Sequence, residues 1–129
     1  MDPYLVNVLT LAYQGDAVYE LLVRRALIQQ AALPAGQMHR LAMNYVSATR
    51  QSMACDVLIP LLNKDESSVF MRARNANPAH APRHTDIGDY HRATALEAVF
   101  GYLDLSGQQE RIQELFNSIF EYLSQQKNR

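Results

Sequence analysis

The chain is expected to fold as an all-α bundle. Apolar residues recur at spacings of three and four through Leu5, Val8, Leu9, Ala12, Val18, Leu21, Leu22 and Ala26, the period of one helix face. Ile112, Leu115, Phe116, Ile119, Phe120 and Leu123 form a second stripe near the other end, facing a core. No stretch of useful length alternates apolar and polar residues as a half-buried strand would.

The elements follow in order. Asp2-Pro3 is expected to open the first helix, because Asp can cap and Pro suits the first turn. Gly15 interrupts that helix at a cost of ~1 kcal/mol relative to Ala, so it needs a reason, such as the close approach of another backbone. Residues 32–36 (Ala-Leu-Pro-Ala-Gly) read as a turn, and a second helix is expected from about Gln37 to Tyr45. Ser47 is a candidate cap for a third helix, carried by Ala54, Val57, Leu58 and Leu61, with Pro60 bending or ending it. A fourth is expected from near Asp65 to about Asn75. Asn77 to Gly88, with Pro78 and Pro82 inside, reads as the one long loop, and long loops in compact domains are often functional. A fifth helix is expected from about Asp89 to Leu105, ended by Ser106-Gly107, and the stripe above marks the last.

Length and composition set bounds. The 129 residues fit one domain spanning 1–129, and 48% hydrophobic content allows one sizeable core. Charged residues, at 19%, fall below the usual ~25%, compatible with burial of part of the surface in an oligomer. The formal charge of −1 excludes a polycation, so binding to nucleic acid would need local clusters. Such clusters exist: residues 21–55 hold Arg24, Arg25, Arg40 and Arg50 without an acid, and 67–85 hold Arg72, Arg74 and Arg83 without one. Either segment alone reads as an ordinary solvated face; together they suggest a polyanion surface.

Cys55 is the sole cysteine, which excludes an intramolecular disulfide and a Cys-based zinc site. No signal peptide or membrane-length apolar run is seen, so a cytoplasmic protein is expected. The four histidines form no zinc-binding pattern: Pro82 separates His80 from His84. Serine and cysteine hydrolase motifs and phosphate-binding glycine loops are absent.

Carboxylates remain. Asp16 and Glu20, four apart, would share a helix face. Glu97 sits among Ala95, Leu96, Ala98, Val99 and Phe100, where an acid is expensive unless paired or metal-bound. Taken alone, Glu97 could equally pair with an Arg or reach solvent, and Asp16 could be a surface acid beside a packing glycine.

Two stretches read together carry more. Residues 15–21 (Gly-Asp-Ala-Val-Tyr-Glu-Leu) resemble the signature helix of the ribonuclease III catalytic domain, and residues 94–103, from Thr94 through Glu97 to Leu103, resemble that family's second acidic helix. Leu11 to Asp16, Tyr45 to Ala48, Arg72 to Asn75 and Tyr90 to Thr94 are similar to the short Mini-III branch, which lacks the appended double-stranded-RNA-binding domain.

The resemblance implies a homodimeric helical bundle that cleaves both strands of duplex RNA with Mg²⁺ and matures the large-subunit (23S) ribosomal RNA precursor. It puts Asp16 at the catalytic aspartate and Glu97 at the metal-ligand glutamate, with Glu20 as a further candidate ligand. Larger members carry acids where this chain has Ala12 and Thr94, so the centre is expected to be sparse and the metal count stays open. Magnesium tolerates this, holding waters alongside one or two carboxylates and phosphate oxygens.

Arg72, Arg74, Asn75, Arg83 and Arg92 flank or occupy the long loop and are the candidates for contacts to RNA, against a simpler role as solvated residues. Val99, Phe100 and Leu103 are candidates for the dimer contact or for intrachain core. A ribosomal protein on the precursor is a candidate partner. The competing readings are a non-catalytic dimeric RNA-binding or scaffold protein with the same fold, and an unrelated helical adaptor.

Overall fold

A computed structural model describes residues 1–76 and 86–126, and their regular structure is entirely helical. Six α-helices follow one another: α1 (Val8–Gln30), α2 (Ala35–Val46), α3 (Ala48–Leu58), α4 (Lys64–Arg74), α5 (Ile87–Leu105) and α6 (Gln109–Gln125). The segment expected to be the long loop lies, up to residue 85, outside the described residues, and with it Arg83, His80 and His84.

Several boundaries differ from the sequence reading, each for a local reason. Asp2-Pro3 does open a helical turn, but only the short 3-10 segment Pro3–Leu5, whose Tyr4 N–H donates to the Asp2 carboxylate. Val6 is then extended, and Asn7 caps α1 by accepting from the Leu9 N–H. Ser47 caps α3 as expected, accepting from the Arg50 N–H. Pro60 ends that helix by tightening it into a 3-10 turn over Ile59–Leu61, since Pro lacks the N–H that would continue the α-helical ladder. Asp86 caps α5, which therefore begins two residues before Asp89 and takes Gly88 into its first turn. Gly107, at φ +71°, terminates α5: its N–H donates to the Asp104 carbonyl and the Gln108 N–H to that of Leu103, the paired bonds of a Schellman cap.

Helix α5 is the axis of the molecule, packed against α1, α3, α4 and α6. From Ala93 to Leu103 every residue except Glu97 is buried. Val99, Phe100 and Leu103 are among them and have no exposed surface. The suggestion that they form a dimer contact is thereby corrected: they are intrachain core, because α5 is covered on several sides. On α1 the buried row is Leu11, Gly15, Tyr19, Val23 and Leu27, a ridge of residues four apart that can lie in a groove of α5. Tyr19 links distant elements. Its ring meets Phe100 and Phe116 edge-on at 5.6 and 5.9 Å, and its hydroxyl donates to the Tyr45 carbonyl at 2.9 Å.

One buried ion pair fastens α4 to α6. Glu66 has no exposed surface. Its carboxylate accepts from the Asn63 N–H at 2.9 Å, as half of a capping box. It also accepts from Arg111 Nε and Nη2 at 2.9 and 2.8 Å. Burial pushes the Glu66 carboxyl up, but the Arg111 and Asn63 hydrogen bonds and the Arg111 charge outweigh this and hold it below the usual carboxylate range. Its contribution to stability is therefore present at neutral pH and lost as pH falls below the ordinary carboxylate range. Arg111→Met strands the buried charge and is expected to cost ~3–5 kcal/mol, read as a lowered midpoint of urea unfolding at neutral pH. A midpoint unchanged from the parent would show that the pair contributes nothing.

Candidate active site

The site begins with two glycines that face each other. A Cβ on Gly15 would stand 1.6 Å from the Glu97 carbonyl oxygen, and one on Gly101 would stand 1.9 Å from the Leu11 carbonyl oxygen. Neither distance is possible, so α1 and α5 cross backbone to backbone, and only glycine allows it. The cost of Gly15 in a helix interior is thus offset at this crossing, the reason the sequence called for.

The crossing sets Asp16 beside Glu97. Asp16 is exposed and Glu97 half-buried, and the Asp16 side chain is close enough to act on the Glu97 carboxyl. Burial first, then the Asp16 hydrogen bond and charge, push the Glu97 carboxyl up to about 8, with a smaller push from the Glu20 charge. A hydrogen bond from Gln51 pulls the other way.

Glu20 does not join the pair. It lies one turn further along α1, half-buried, with Arg24 at 3.4 Å. Among the described residues no group of three or more His, Cys, Asp or Glu is placed to hold a metal ion. Ala12 and Thr94, where larger family members carry acids, are buried, and the Thr94 hydroxyl donates to the Tyr90 carbonyl at 2.9 Å. The donor set is therefore two carboxylates, which fits Mg²⁺ completed by waters and phosphate oxygens. A dication would also neutralise the like charges that Asp16 and Glu97 otherwise face.

The raised Glu97 carboxyl has a consequence for stability. A group raised on folding stabilises below its unfolded value, about 4.5, and that contribution is lost as pH rises through about 8. With chelator present, the melting temperature of the parent should fall between pH 5 and 9 more than that of Glu97→Gln. Above pH 8 the variant should be the more stable by ~1–3 kcal/mol, the nominal shift being discounted for partial solvation. Parallel pH profiles for the two proteins would disprove the strain.

The arginines divide. Arg92 is held within the chain: its Nε donates to the Ser52 hydroxyl at 3.1 Å, and its Nη2 to the Ser52 carbonyl at 2.8 Å and to Asp56 at 2.7 Å. Arg72 lies over the Tyr4 ring, 4.6 Å from its centroid, and donates to the Tyr4 carbonyl at 2.9 Å. Arg74 and Asn75 are exposed at the end of α4. Between α2 and α3 an open cavity of about 700 Å³ is lined by Gln37, Arg40, Asn44, Ser47, Thr49 and Arg50, with no carboxylate among its lining residues.

Sequence reasoning missed Gln51 and Gly101. Gly101 carried a signal, a second glycine within an apolar helix. Gln51 carried none, since a polar residue in a helical segment reads as solvated, yet it is only 3% exposed.

Comparison with known proteins places this geometry. Residues 9–108 match the Ribonuclease III domain model. The chain is 44% identical to the Mini-ribonuclease 3 of Brevibacillus brevis, over 92% of this chain and 89% of that one. It is 38% identical to the Mini-ribonuclease 3 of Symbiobacterium thermophilum, over 95% and 94%. A crystal structure of a Fusobacterium nucleatum protein superposes with a TM-score of 0.80 at 28% identity, over 90% of this chain and 93% of that one.

Proposed function

Because the chain belongs to the ribonuclease III family, within its Mini-ribonuclease 3 group, we propose that it is a metal-dependent endoribonuclease cutting double-stranded RNA at Asp16 and Glu97. The observation that carries this reading is the pair of carboxyls, Asp16 and Glu97, set side by side at the glycine crossing. The substrate we propose is the large-subunit (23S) ribosomal RNA precursor in the cytoplasm, with a ribosomal protein on that RNA as a candidate partner. The whole chain acts as one catalytic domain. No helix among the described residues is long and apolar enough to cross a membrane.

Asp16 and Glu97 would hold Mg²⁺ against the scissile phosphate, with Glu20 outside the ligand set. When bound, Mg²⁺ neutralises charge on the phosphoryl oxygens and makes water a better nucleophile near neutral pH. Asp16 is exposed, so the pair opens to solvent on the side where a phosphate arrives. Glu97, whose carboxyl is raised, must give up its proton to serve as a full anionic ligand. In-line attack then leaves a 5′-phosphate and a 3′-hydroxyl.

One site cuts one strand, so a homodimer with two equivalent sites matches the symmetry of a duplex. With Val99, Phe100 and Leu103 in the core, the contact has to use surface apolar residues. Tyr13, Leu21 and Ile28 of α1 remain exposed. Sedimentation as a monomer at working concentration would count against this.

A-form RNA is read through shape, phosphates and 2′-hydroxyls. Arg74 and Asn75, with Arg40 on the acid-free cavity, are the exposed candidates; Arg72 and Arg92 contribute through their intrachain contacts, and Arg83 lies beyond the described residues. The Arg40→Ala, Arg74→Ala double variant should weaken binding across all duplex sequences and flatten its salt dependence by about two units of log–log slope. An unchanged slope would move the contacts elsewhere.

The decisive assay presents duplex RNA, single-stranded RNA and duplex DNA, each with Mg²⁺ or with chelator. Cleavage of duplex RNA alone, and only with Mg²⁺, is expected. Binding without cleavage would favour a scaffold role on the same fold; the absence of both would overturn the proposed activity.

A further inference from the structure

We propose that Gln51 is a positioning residue: its buried carboxamide holds the Glu97 carboxylate in the orientation from which, together with Asp16, it takes a divalent cation. The inference rests on the reading of these two acids as metal ligands.

Gln51 lies in the first turn of α3, is 3% exposed, and its side chain is close enough to Glu97 to draw that carboxyl down against the burial that raises it. A buried carboxamide is unfavourable unless its polar groups are used. Packing alone would be served as well or better by Met or Leu, which fill the same space without a polar group to satisfy. An amide N–H facing the carboxylate can only donate to it, and a carboxylate with one acceptor site occupied keeps others for a cation.

Position is enforced by the neighbouring residues. Ser52 and Asp56 on α3 both accept from Arg92 on α5, and the Cys55 thiol donates to the Arg92 carbonyl at 3.4 Å. These bonds fix the register of α3 against α5 one turn from Glu97. The Gln51 donor therefore stands at a set place against a side chain whose helix cannot slide. Asp16 pulls on Glu97 from α1 and Gln51 from α3, so the carboxylate is held between two helices. Hydrogen-bond partners of metal ligands orient them, and their loss lowers metal affinity or activity by about 10–100-fold.

The test compares the parent, Gln51→Met and Gln51→Leu in the full-length protein. Mn²⁺ binding is followed by electron paramagnetic resonance, Mg²⁺ dependence by duplex-RNA cleavage, and stability by melting with chelator. Both variants are expected to melt at or above the parent temperature, to bind duplex RNA equally without metal, and to bind Mn²⁺ about 10–100-fold more weakly. Cleavage should recover at high Mg²⁺. Mn²⁺ affinity and Mg²⁺ requirement equal to the parent's would overturn the proposal, whatever the stability, because Gln51 would then be structural only. A parent that takes up no Mn²⁺ and cuts no RNA would defeat the proposed function itself, and this inference with it.

Discussion

Replacing Asp16 by Asn, or Glu97 by Gln, is expected to lower cleavage of duplex RNA by at least ~10³-fold while the helices stay intact. Each exchange keeps the size of the side chain and removes one of the two anions that would hold the metal. A cation stabilises the charge of the transferring phosphoryl group by several kcal/mol, and ~4 kcal/mol corresponds to ~10³ in rate. The fold should not suffer. Burial first, and then Asp16, raise the Glu97 carboxyl, so an amide at either position relieves strain. Loss of activity together with unchanged or raised stability distinguishes a residue held for chemistry from one held for packing. Initial rates on duplex RNA at saturating Mg²⁺, with melting curves alongside, check both halves. Wild-type activity in either variant would remove these acids from the catalytic centre.

The second large effect is on folding. Gly15→Ala is expected to destabilise the protein by more than ~4 kcal/mol, beyond the ordinary range for one substitution. At an exposed helix interior the same change would be favourable, by ~1 kcal/mol. Here the new methyl would stand 1.6 Å from the Glu97 carbonyl oxygen and 2.8 Å from the Gly101 nitrogen. Those atoms are backbone and cannot rotate away, so α1 and α5 must separate. Separation uncovers Leu11, Tyr19, Leu96 and Phe100, and it parts Asp16 from Glu97. Gly101→Ala, at 1.9 Å from the Leu11 carbonyl oxygen, should behave alike. Urea unfolding of both variants would decide it: a stability equal to or above the parent's is incompatible with the crossing. A milder loss accompanied by inactivity would mean that the helices spread without unfolding, which the same geometry allows.

The sequence was most legible where one helix presents one face. The stripe from Ile112 to Leu123 is buried as expected except at the half-buried Phe120, and Ser47 caps where its position suggested. Legibility fell where a helix is covered on several sides. Helix α5 shows almost no periodicity, because most of its residues from Ala93 to Leu103 are inside. Val99, Phe100 and Leu103 therefore read equally well as core or as dimer contact, and only packing separates the two. The arginines show the same limit. Nothing near Arg92 in sequence announces Asp56 or Ser52, which reach it from another helix. Nor does anything near Arg72 announce Tyr4, 68 residues earlier.

For the opening expectation of an all-α fold, local physics sufficed: helical period, caps and the lack of strand alternation are properties of neighbours in the chain. The glycine at position 15 could likewise be recognised as anomalous from its helix alone. What it was for could not, because the other half of the contact, Glu97 and Gly101, lies more than 80 residues away. The tertiary structure decided that these backbones touch, that their touching brings two carboxyls side by side, and that a glutamine from a third helix is buried near one of them. A sequence records which residues repel water or strain a helix; only the packed chain determines which charges must share a space without it.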